Sequence, residues 1–138
     1  ANPLKADVVA RVEELEVETR TLDSYDWASV GFIKIDVEGH ELAVLGGAEA
    51  TLAKHRPAML IECNDDHAAD GVRRLTAWLE AHDYEVLFFD HTRLRPVAEY
   101  DRAEHWVKHT IENFICLPRG DAARRRRLDD QVAKVVGR

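Results

Sequence analysis

The stretch Phe32–Glu41, FIKIDVEGHE, decides the reading of this chain. Phe32, Ile33, Ile35 and Val37 are apolar and strand-favouring, and the run then stops on acid and glycine. Asp36, Glu38 and Glu41 fall within six positions, with Gly39 and His40 between them. Open α/β sheets present their sites at the carboxyl ends of strands, and a strand that empties into carboxylates and a glycine fits that position. Lys34 is the odd residue inside the strand. Either its stem snorkels along a sheet face or its charge is paired.

Downstream, a helix is expected from Glu38 or His40, with Leu42, Val44 and Leu45 as its apolar side. Gly46-Gly47 should end or kink it, since each glycine costs about 1 kcal/mol in a helix interior. A second helical stretch, Ala48 to Lys54, follows. Pro57 opens a strand over Ala58 to Cys63, whose continuous apolar run suits a strand covered on both faces. That strand ends in a second polar cluster: Glu62, Asn64, Asp65, Asp66 and His67.

Beyond it, Val72, Leu75, Trp78 and Leu79 lie at helical spacing within Ala69 to His82. Tyr84 to Phe89 is a strand, with a brief return over Leu94 to Val97. Tyr100 to Lys108 reads as a short helix or an irregular crossing. Ile111 to Leu117 is a last strand, and Asp121 can cap a final helix to about Val136. Upstream, Leu15 to Thr21 alternates as a half-exposed strand would. Leu22 to Ser29 is a connector in which Asp23 or Ser24 can cap a helical turn. The first eleven residues fit helix or strand equally. This order of elements is half of a doubly wound α/β sheet.

At 138 residues the chain has the size of one modest domain. A net charge of −7 argues against nucleic-acid or anionic-membrane partners, which need a basic face. The run Arg124 to Arg127 is followed at once by Asp129 and Asp130, so a solvated helix face accounts for it better. No apolar run approaches the roughly 20 residues that span a bilayer. Cys63 and Cys116 sit in strand-like runs, as buried free thiols of a reducing, cytoplasmic compartment would.

The motifs also carry a resemblance. IKIDVEGHE at 33–41, LAVLGGA at 42–48 and RPAMLIE at 56–62 resemble the FkbM family of S-adenosylmethionine-dependent methyltransferases. TRTLD at 19–23 and NFICLP at 113–118 fit the same pattern. The resemblance implies a Rossmann-like class I methyltransferase fold, mostly parallel, with a terminal antiparallel strand slotted between earlier ones. It implies O-methylation of a hydroxyl on a sugar or natural-product acceptor, with S-adenosylmethionine as cofactor. Such an enzyme carries a glycine-rich turn after its first strand to hold the cofactor. None of the seven glycines here forms one. The expectation is therefore a C-terminal portion of the domain, inactive in isolation, whose cofactor-binding half is not in the chain. An uncovered sheet edge would then invite pairing with a second copy.

Methyl transfer to a hydroxyl needs near-attack geometry, worth roughly 7–11 kcal/mol, and help for the departing proton. Asp36 is the first candidate to orient or deprotonate the acceptor, and for contact with the cofactor. Glu38 and His40 are further catalytic candidates, while Glu62, Asn64 and His67 are candidates for binding the substrate. Each has a plainer reading. Asp36 can cap the following helix, Glu38 can favour its dipole, Glu62 can pair with Lys34, and His40 can be an ordinary first-turn residue. By analogy with catechol-type enzymes, Asp36, Glu62 and Asn64 also make an oxygen ligand set suited to Mg2+. His105 and His109, four apart, suggest a zinc pair with no third ligand. An inert structural or interaction fragment is the non-enzyme alternative. Trp106 and Tyr100 are the aromatics expected near a substrate mouth.

Overall fold

The structure is a computed structural model that describes residues 14–66 and 69–137. Five strands form one sheet: β1 (Phe32–Ile35), β2 (Ala58–Glu62), β3 (Tyr84–Phe89), β4 (Leu94–Pro96) and β5 (Asn113–Pro118). Their order across the sheet is β1-β2-β5-β3-β4. Four α-helices accompany them: α1 (Glu41–Gly46), α2 (Glu49–His55), α3 (Gly71–Ala81) and α4 (Ala122–Val136). A turn of 3-10 helix covers Leu22–Ser24, another covers Val97–Glu99, and a π-helical turn covers Arg102–Trp106.

The inner face of the sheet is built in rows. Register places Met59, Cys116 and Val86 in one row and Ile61, Phe114 and Phe88 in the next. Ile35 and Tyr84 join them, and Leu45, Leu52, Leu75 and Leu79 from α1, α2 and α3 close over the same cluster. The outer face is different. Arg125 of α4 ties to Glu85 of β3 at 2.6 Å, while over β1 Phe32 remains 60% exposed.

Three expectations need correction. The sheet is not mostly parallel: β1–β2 is its one parallel pairing, and the other three are antiparallel. The reason is placement. β3 runs in the same direction as β2, but β5 enters between them and is antiparallel to both, and β4 folds back on β3 as a hairpin. Second, β2 is not covered on both faces, since Leu60 is only half-buried. Third, Leu15 to Thr21 alternates but is not a strand. No described strand pairs with it, and Leu15 and Val17 are 76% and 74% exposed. The reading of residues 1–11 lies outside the described residues.

Asp23 does cap a helix, but a distant one. Its Oδ2 accepts from the Ala50 amide (2.9 Å), and its Oδ1 accepts from the Thr51 amide (2.8 Å) and hydroxyl (2.6 Å). The N-cap residue of α2, Ala48, has no side chain able to do this. Gly47 makes the approach feasible: a Cβ there would sit 3.2 Å from the Thr21 side chain, and its carbonyl accepts from the Asp23 amide. The Thr51 hydroxyl bond, ahead of the two amides, holds the Asp23 carboxyl below the usual carboxylate range. Asp23→Ala is therefore expected to cost about 1 kcal/mol in chemical denaturation at neutral pH. A lowered folded pKa stabilises above the unfolded value, so the difference between wild type and variant should shrink as acid protonates Asp23.

Candidate functional site

Parallel pairing aligns Lys34 with Leu60 and Ile35 with Ile61. One step further, the chain leaves β1 at Asp36 and reaches the last residue of β2 at Glu62. Side chains alternate along strands, so Asp36 and Glu62 share the outer face with Lys34, opposite the buried Ile35 and Ile61. They also line one small hollow together with Glu38, Gly39, Glu41, Cys63 and Asn64.

The turn that forms the hollow is backbone-strained. Glu38 has φ +47° and Gly39 φ +98°. Left-handed conformation at a non-glycine residue costs on the order of 1–3 kcal/mol. Glu41 offsets this: it is 5% exposed, and its Oε1 accepts from the Gly39 amide at 2.8 Å. Glu41 is also the acidic residue in the first turn of α1. The dipole role considered for Glu38 thus belongs to Glu41, and Glu38 lines the hollow as an exposed carboxylate.

Asp36 does not cap α1. The cap position is His40, which makes no side-chain cap bond. Asp36 Oδ2 instead accepts from Lys34 Nζ at 2.6 Å, so the charge of Lys34 is paired and Glu62 is not its hydrogen-bond partner. Burial raises the pKa of Glu62, and the neighbouring charges of Asp36, Glu112 and Glu38 add to this while Lys34 opposes it.

Other candidates fall elsewhere. His40 is exposed and lines a separate hollow with Thr19 to Leu22, Ala43, Val44 and Gly47. His67 lies outside the described residues. Asn64 is close by but engaged: its Nδ2 donates to Glu112 Oε2 (3.0 Å) and its Oδ1 accepts from the Asp66 amide (3.0 Å). With Lys34 on Asp36 and Asn64 spent in this way, the Mg2+ ligand set expected from the sequence does not form. Among the described residues no cluster of three or more His, Cys, Asp or Glu side chains is arranged to hold a metal ion. The zinc pair of His105 and His109 likewise gains no third ligand among the described residues. His105 Nδ1 is held at Asp101, and its ring stacks on Tyr100.

Two contributors were missed. Glu112 precedes β5, and only the pairing of β2 with β5 brings it beside Asn64. Arg102, in the π-helical turn, pairs with Asp66 and Asp65 of the loop after β2. Trp106 Nε1 donates to Asp66 Oδ2 at 3.2 Å. Trp106 therefore borders that loop, and Tyr100 lines a hollow with Asp65 of the same loop, its hydroxyl donating to the Ile111 carbonyl (2.8 Å) and its ring packing on Phe88 and Phe114.

The sequence pattern described as the Methyltransferase FkbM domain matches residues 3–86, a span holding β1, β2 and the whole hollow. The chain belongs to the FkbM methyltransferase family. No curated protein matches it, and no solved structure does. Family membership implies S-adenosylmethionine as methyl donor.

A consequence for stability follows from Glu62. A carboxyl whose folded pKa lies above its unfolded value loses stability as pH rises from the unfolded toward the folded value. Glu62→Gln should thus raise the melting temperature at neutral pH and flatten that part of the stability–pH curve. An unchanged curve in thermal melts across the weakly acidic range would contradict the placement of Glu62.

Proposed function

We propose that this FkbM-family chain carries the acceptor side of an O-methyltransferase that acts on a hydroxyl of a sugar or natural-product scaffold. The observation behind the reading is the pair of carboxylates, Asp36 and Glu62, at neighbouring parallel strand ends on one small hollow. Methyl transfer to oxygen is an in-line displacement. S-adenosylmethionine supplies an activated methyl group on sulfur. The task left to these residues is to hold the hydroxyl in line and remove its proton, the latter contributing about 10²- to 10⁴-fold. Asn64, fixed by Glu112 and Asp66, shapes the rim.

The cradle for the donor is supplied from outside the described residues. One observation supports this: β1 is the edge of the described sheet, with Phe32 exposed beside a hollow reaching from Leu22 and Trp27 to Ile33. The chain alone is accordingly inactive. Calorimetry should detect no tight binding of S-adenosylmethionine to residues 1–138. Tight binding would contradict the placement of the cradle.

In the intact enzyme, Asp36→Asn should lower transfer of labelled methyl groups to hydroxyl acceptors by about 10²-fold or more, with folding unchanged by circular dichroism. Lost stability with retained specific activity would return Asp36 to a structural role. A chelator should leave turnover unchanged, since Lys34 occupies the carboxylate that a cation would need.

A further inference from the structure

The carboxylates of the hollow are not equivalent. Asp36 Oδ2 is in contact with the Lys34 ammonium. Glu41 is committed to the Gly39 amide, and Glu112, behind the rim, receives the Asn64 amide. Glu38 is exposed on the turn. Glu62 is half-buried and, among the described residues, its side chain accepts no hydrogen bond and makes no ion pair. A carboxylate that already accepts a charged hydrogen bond from an ammonium is a weaker base. One that is partly desolvated and faced by like charges retains its basicity.

We propose that Lys34 is a positioning residue that fixes Asp36 as the group orienting the acceptor hydroxyl, and that Glu62 is the base that takes its proton. This rests on the methyl-transfer reading above and divides the labour that reading leaves shared. The hydroxyl O–H bond breaks, its electron pair stays on oxygen, and the proton moves to the Glu62 carboxylate. Oxygen then bonds to the methyl carbon of a sulfonium donor, whose sulfur keeps the electrons of the broken C–S bond. The strand explains why a lysine stands at position 34. Residues two apart on a strand share a face, so an ammonium at 34 meets a carboxylate at 36 without any contribution from the turn. The charged groups facing Glu62 are Lys34 from β1, Asp36 just beyond its end, Glu38 from the turn and Glu112 from the segment before β5, with Glu41 of α1 on the same hollow.

The test uses the intact protein with carbon-13-labelled glutamate side chains, the Glu62 signal being assigned by its loss in Glu62→Gln. Lys34→Met keeps the apolar stem and removes the charge, and Lys34→Arg keeps the charge. The Glu62 carboxyl should titrate at higher pH in Lys34→Met than in wild type, and Lys34→Arg should restore it. The acidic limb of kcat/KM should follow the same order. Glu62→Gln should lose about 10²-fold or more in kcat/KM together with that limb, whereas Asp36→Asn should keep the limb at reduced rate. An unmoved Glu62 titration in Lys34→Met, or an acidic limb that survives in Glu62→Gln, overturns the assignment. Absence of methyl transfer by the wild-type enzyme would defeat the underlying reading instead, and the carboxyl titration reports independently of that outcome.

Discussion

The parallel pairing of β1 with β2 is the constraint on which the rest of this structure depends. Evenly spaced bonds between parallel strands put residues of equal register on the same face at the same height. With Ile35 opposite Ile61 on the buried face, the next residue of each strand turns outward at the same end of the sheet. No interaction between Asp36 and Glu62 is needed to bring them together; their like charges oppose it. The apolar rows beneath, from Ile35 across Ile61 to Phe114 and Phe88, hold the register against that repulsion. A slip of one residue would send the buried set outward.

The turn after β1 draws on the same support. Glu38 and Gly39 take positive φ, and the buried carboxylate of Glu41 secures them through the Gly39 amide. This is a backbone strain located at a hollow lined by four carboxylates, of which only Asp36 is paired with a lysine. Strain and repulsion of this kind persist only where the surrounding structure over-determines them. The Asp23 cap on α2 and the close approach at Gly47 keep that helix pair in place behind the turn.

Much of this was legible in the residues. The apolar run before Asp36 and the run before Glu62 announced two strands ending in acid. The paired glycines separated α1 from α2, and the helical spacing of Val72, Leu75 and Leu79 located α3. What escaped was set by contacts distant in sequence. Glu112 gains its place only when β5 enters beside β2. Arg102 reaches Asp65 and Asp66 through a π-helical turn that no local spacing signals. Asp23 resembled a local cap, although its partners lie 27 and 28 positions away. The alternation of Leu15 to Thr21 had the period of a strand without a neighbour to pair with. The role of Lys34, left open between snorkelling and pairing, was settled by a distance.

The shared lip can be measured directly by replacing Asp36 and Glu62 with cysteine in one folded protein. Cα atoms about 4.4–6.8 Å apart with side chains on one face close a disulfide. The native Cys63 and Cys116 are buried, and burial holds the Cys63 thiol up at about 12, so neither should compete. Under mild oxidant the two introduced thiols should disappear together and return on reduction, with the fold intact. Two thiols that remain open to independent alkylation in the native protein would place these positions apart and contradict the account.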